Sequence, residues 1–132
     1  MAFQYSQTVN NARLDAIETA TGATALLKIY TGTMPANCAA AATGTLLATL
    51  TLPADWMAAA SAGVKVKAGT WTGVGSGAGS AGYCRIYDNA GTVAHIQGEA
   101  GTSGTPFVFD NIVLAVSQGI TVSGFQITAA NA

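Results

Sequence analysis

The chain has 132 residues, with five Lys or Arg, six Asp or Glu and one His, and a net charge of −1 at pH 7. A soluble domain ordinarily carries about a quarter of its residues as charges. At 8% charged, this chain lacks the basic field that recruits nucleic acid and has few ionisable groups for an active site.

The first residues contain Phe3 and Tyr5, two aromatics separated by one residue, in a short arm without the basic and apolar regions of a secretory signal. The expectation is therefore a protein made and kept in a cytosol. From Gln7 to Thr21 the spacing predicts a helix, with Val9, Ala12, Ala16, Ile17 and Ala20 on one stripe and Leu14 and Thr21 beside it. Ser6 or Thr8 is placed to cap its start and Gly22 to end it, while Arg13, Asp15 and Glu18 fall away from the stripe.

After Gly22 the period changes to two. Ala25–Thr31 reads as a strand, 32–44 as a loop, and Thr45–Leu52 as a half-buried strand with Leu46, Ala48, Leu50 and Leu52 inward. The apolar stretch Leu46–Leu52 is far too short to cross a bilayer, and no membrane partner is expected. Pro53 ends that strand. Ala54–Ala62 then reads as a short helical turn with Asp55 near its positive end, and Trp56 and Met57 plug either the core or an interface.

Val64–Thr72 is the next strand, with Lys65 and Lys67 on one solvated face. The glycine-rich stretch 73–82 lacks the Lys-Ser or Lys-Thr pair of a phosphate-cradling loop and reads as a flexible connection. Tyr83–Tyr87 and Thr92–Gln97 flank the hairpin turn Asp88-Asn89-Ala90-Gly91. Further strands are expected at Pro106–Phe109, Ile112–Val116 and Ile120–Thr128, the last with a bulge at Gly124. The tally is about eight strands after one helix, at the turn spacing of an antiparallel β-sandwich. A single domain is expected, with an arm and helix over 1–22 and the β-sandwich over 23–132.

His95 is the single candidate general base at neutral pH, and it falls within a hairpin strand where a structural role is expected. Cys84, on the neighbouring strand, could approach it, but no nucleophile elbow surrounds either residue. Glu99 and Asp110 could approach each other as an acid pair, on no more than their presence. Cys38 and Cys84 are expected as reduced thiols, and two cysteines with one histidine do not make a zinc site. The expectation is a non-enzyme with no cofactor and no metal.

Asn11-Ala12-Arg13-Leu14-Asp15-Ala16-Ile17-Glu18 resembles the amino-terminal helix of a group of small virion proteins of tailed bacteriophages. Pro35-Ala36-Asn37-Cys38-Ala39-Ala40, Leu52-Pro53-Ala54-Asp55-Trp56-Met57-Ala58-Ala59-Ala60, Gly69-Thr70-Trp71 and Arg85-Ile86-Tyr87-Asp88 extend the resemblance in order along most of the chain. It implies a capsid decoration, or cement, protein with a jelly-roll-like β-sandwich. Such a protein binds the major capsid protein on the virion exterior, self-associates as a dimer or trimer and is assembled in the host bacterial cytoplasm. Family members often have His where Tyr83 stands and Cys near Ala94, so neither position is expected to carry obligatory chemistry. Phe3, Tyr5, Leu14 and Ile17 are the expected contact element, with Trp56 and Met57 as further interface candidates. The alternative is a carbohydrate- or receptor-binding β-sandwich of a tail or fibre, with Trp71, Asp88 and Asn89 assembled into a sugar site.

Overall fold

The computed structural model describes residues 3–129. Helix α1 (Gln7–Thr21) starts where expected, because Ser6 Oγ accepts the Val9 N–H at 3.2 Å and satisfies a donor the first turn leaves free. It stops at Gly22, whose positive φ of 93° lets its N–H close on the Glu18 carbonyl at 2.9 Å.

Nine strands follow among the described residues: β1 (Leu26–Thr31), β2 (Leu46–Thr51), β3 (Val64–Val66), β4 (Thr72–Val74), β5 (Gly79–Tyr87), β6 (Ala94–Gly101), β7 (Phe107–Phe109), β8 (Val113–Leu114) and β9 (Gly119–Thr128). They form one curled mixed sheet in the order β2-β1-β5-β6-β7-β9-β3, with β4 also on β9 and β8 also on β5. An isolated bridge between Ala48 and Gly75 draws the stretch after β4 back against β2 and tightens the curl. The sheet is not wholly antiparallel: the connection 102–106 folds back, so β7 runs parallel to β6 at Ala100↔Phe107 and Gly101↔Val108. Inside the curl lies a core that includes Leu27, Ile29, Leu50, Trp56, Trp71 and Phe107. Each such fully buried side chain contributes about 1.5–3 kcal/mol relative to exposure.

Bulges decide which side chains reach that core. Ile29 pairs with Ala48 and Tyr30 with Leu46, leaving Leu47 as the extra residue. Leu47 is therefore buried while Leu46 turns outward, which corrects the inward assignment of Leu46. In β9 the shift falls at Ser123, between Val108↔Gly124 and Phe109↔Val122, so Val122 and Phe125 both face inward and the bulge expected beside Gly124 is present.

Three further expectations are overturned. The segment 54–62 is extended: Met57 bridges Lys67, Ser61 bridges Val64, and Ala58 N–H bonds the Val66 carbonyl at 2.8 Å. Asp55 consequently caps no helix. Its turn is Ala62-Gly63, with φ of 53° and 74°, the left-handed pair that closes a two-residue hairpin. The stretch 73–82 is largely strand, contributing to β4 and β5. Its glycines serve close backbone approach, since a Cβ on Gly75 would collide with the Ala115 carbonyl and one on Gly82 with the Gly32 carbonyl. Lys65, finally, is not on a solvated face; its side chain is 1% exposed.

Candidate functional site

Helix α1 is turned so that its polar side meets the protein. Asn10, Leu14 and Thr21 are buried, whereas Val9, Ala12, Ala16 and Ala20 of the expected apolar stripe are exposed. The reason is the extended segment 57–63 beneath it, whose backbone donors alternate between β3 and the helix. Glu18 Oε2 accepts the Met57 N–H at 3.1 Å, Asp15 Oδ1 the Ala60 N–H at 2.8 Å, and Asn11 Oδ1 the Gly63 N–H at 3.1 Å. The Gln7 amide oxygen, oriented inward, accepts from Ala62 at 3.1 Å. Into the same seam Lys65 projects its ammonium, 2.7 Å from Asp15 Oδ1, 3.0 Å from Glu18 Oε1 and 3.0 Å from the Ala58 carbonyl. Burial opposes the charge on Lys65, but the hydrogen bonds it donates to Asp15 and Glu18 outweigh it and raise its pKa. The same bond to Lys65, followed by that from Ala60, lowers the pKa of Asp15.

The six interface candidates separate into two groups. Trp56 and Met57 are fully buried in the protein's own core, and Trp56 Nε1 donates to the Gly22 carbonyl at 2.9 Å, joining the end of α1 to the body. Leu14 is buried too. Phe3 and Tyr5 are 64% and 40% exposed, with their rings edge to face at 5.5 Å. The Arg13 guanidinium stands 4.6 Å from the Tyr5 ring centre, so the arm lies against the outer side of its own helix. Ile17 is half-buried and reaches a groove that the sequence reading missed.

That groove, about 540 Å³, runs between β6 and the end of β9, with Ile17 of α1 and Cys38 also on its walls. A smaller hollow of about 300 Å³ adjoins it through Ile17 and His95 and extends along the helix past Arg13. His95 is the extra residue of a bulge, between Ile86↔Ile96 and Tyr87↔Ala94, which directs it outward at the rim. Pro106, expected as the first residue of a strand, lies on the groove wall instead, and the pairing of β7 with β6 begins at Phe107.

The remaining chemical groups are dispersed. Cys84 is buried opposite Gly98, three residues along β6 from His95, and burial pushes its thiol pKa up. Both cysteines are free. Trp71 is fully buried, with Nε1 donating to the Ala68 carbonyl at 3.1 Å, so it offers no face on which a sugar could stack beside Asp88 and Asn89. Tyr83 stacks on Tyr30 at 5.1 Å and its hydroxyl donates to the Thr43 carbonyl at 2.7 Å, tying the loop 32–44 to β5. Arg85 is buried against the Asn37 carbonyl and the Gln97 amide, each at 3.1 Å. Among the described residues no group of three or more His, Cys, Asp or Glu side chains is arranged to hold a metal ion, and no helix is long and apolar enough to cross a membrane. Comparison of the chain with protein-family models, with curated proteins and with solved structures finds no match.

Proposed function

We propose that this chain is a non-enzymatic structural protein of a tailed-bacteriophage particle, a decoration protein that binds the capsid exterior and self-associates there. In this reading the curled sheet is the jelly-roll-like β-sandwich of the resembled family. The major capsid protein is the partner, and stabilisation comes from added contact area: separating capsid subunits must also break the decoration contacts. The observation that carries the proposal is the disposition of charge. Two of the five basic side chains, Lys65 and Arg85, are turned inward, while the aromatic arm and the alanine side of α1 face out. Neutral surface can be covered by a partner without desolvating ions, which is the costly part of burying a charged interface.

The test is co-sedimentation of the purified protein with heads that lack decoration. Saturable binding at micromolar protein, reduced by Phe3→Ser with Tyr5→Ser, supports the proposal. Absence of binding under those conditions overturns it, and a cryo-EM map of the particle with this chain on the tail would do the same.

A further inference from the structure

The groove between β6 and β9 has the architecture of a missing strand. Strand β6 pairs with β5 along Ala94–Glu99, but on its other side it meets β7 only at Ala100 and Gly101. Strand β9 is held by β3 on one side at Gln126–Thr128, whereas β7 reaches it only as far as Phe125. Among the described residues, therefore, two strand edges face each other ahead of β7 without a strand between them. Because β7 occupies the other end of the same interval, it sets the separation there at two strand spacings, about 9.6 Å. At that end the opening is one strand wide.

The ladder alternation places free backbone groups along both edges. On β9, the Phe125 carbonyl accepts from Lys67 and the Ala129 N–H donates to Gly63, both on the β3 side. The intervening Gln126 and Thr128 must then turn their N–H and C=O groups into the gap. Across the sheet, Leu52 N–H bonds the Ala25 carbonyl and Thr31 N–H the Thr45 carbonyl, so β1 directs its even residues at β5. Their partners Tyr83, Arg85 and Tyr87 face β1, Cys84 and Ile86 face β6, and Gln97 is left facing the gap. Between these edges Ile17, Ile96 and Ile127 supply apolar wall, and among the described residues no Lys, Arg, Asp or Glu lines the groove.

We infer that this gap is a strand-receiving slot, and that its occupant is the amino-terminal arm, Phe3–Ser6, of a second copy of the chain. The arm is non-helical and uncharged in its side chains, and Phe3 and Tyr5, two apart, fall on one face of an extended strand. It is held to its own helix by Arg13 over Tyr5, a weak contact at an exposed site. Tethered at Ser6, these four residues also cannot reach along their own helix into their own slot. Ile17 stands eleven residues along α1 from Ser6, about 16 Å of helix, whereas four extended residues span about 13 Å. Main-chain bonds to Gln97, Gln126 and Thr128 would give the affinity, and the isoleucine wall would receive the aromatic rings. The inference deepens the self-association in the proposed function, but it does not depend on a capsid.

The experiment is sedimentation equilibrium of the full chain over a concentration series, alongside two variants checked for folding by circular dichroism. Phe3→Ser with Tyr5→Ser removes the arm's anchors, and Gln126→Pro removes one N–H that faces the slot and no bond to β3. Each is expected to weaken self-association at least tenfold, and mixing the two is expected to restore a dimer, because one has an intact slot and the other an intact arm. If Gln126→Pro does not fold, Ile17→Lys takes its place on the wall. A wild-type chain that stays monomeric to the millimolar range overturns the inference, and so does an oligomer indifferent to the arm or a mixture that fails to complement. Arm-dependent association without head binding would leave the slot standing and sink the capsid reading. Head binding with no arm-dependent association would do the reverse.

Discussion

Lys65 and Asp15 meet at 2.7 Å although fifty residues separate them, one on β3 and the other on α1. With Glu18 on the far side of the ammonium at 3.0 Å, the pair makes the docking of the helix electrostatic as much as apolar. The two sides are unequally buried: the Lys65 side chain is 1% exposed, that of Asp15 46%. That inequality determines what removing either partner does.

Replacing the carboxylates is expected to cost more than replacing the amine. Asp15→Asn combined with Glu18→Gln strands a buried ammonium, whereas Lys65→Met leaves two carboxylates that keep water and their backbone donors at Ala60 and Met57. Urea denaturation should place the double variant well below Lys65→Met. The opposite order would mean that the ammonium finds another route to solvent.

Stability should fall in acid for a specific reason. The bond from Lys65 lowers the pKa of Asp15, and the backbone N–H of Thr92, partly offset by desolvation and reinforced by Val93, lowers that of Asp88. A carboxyl whose folded pKa is depressed contributes stability above its unfolded value, near 3.9, and loses it as pH falls through the folded one. Lys65, with its pKa raised, behaves oppositely, contributing fully below its unfolded value and losing that at high pH. Denaturation midpoints should therefore be level through neutral pH and decline below about pH 4, and Asp15→Asn with Asp88→Asn should flatten the decline.

Ala62 is a residue with a side chain at φ 53° in a turn where Asn is favoured. Ala62→Asn should raise stability by about 0.5–1 kcal/mol, since Asn tolerates the left-handed region better than Ala. Thermal and chemical denaturation would both register the gain, and a loss would show that the turn is not of this type.

Glycines of the stretch 73–82 and the one that opens β9 fall into two classes. Gly75→Ala and Gly82→Ala would each drive a Cβ into a backbone carbonyl that cannot rotate away, with a cost near 3 kcal/mol. Gly119→Ala meets open space at an ordinary φ and should be neutral or stabilising by up to about 1 kcal/mol. Equal effects at Gly75 and Gly119 would refute the close approach at Ala115.

Thiol labelling should distinguish the two cysteines. Cys38, half-buried on the loop, is expected to react in the native protein, and Cys84, buried with a raised pKa, only at the rate of opening. Native labelling of both would contradict the packing of β5.

Local signals in the sequence determined the helix limits, through Ser6 and Gly22, the hairpin at Asp88–Gly91, and the phase change beside Gly124. These depend on residues within a turn or two of each other, where capping, left-handed glycine and period-two alternation act. Which side of α1 faces inward was not legible: its alanines follow the helical period, but the backbone donors of Met57, Ala60 and Gly63 outcompete them for the buried side. Lys65 and Lys67 look alike along the chain, and only a carboxylate arriving from fifty residues away makes one of them a core residue. The groove was likewise decided by tertiary structure. A missing strand is a relation between β6 and β9, two elements that each read as ordinary alone, and it exists because the short β7 fills only part of the interval between them.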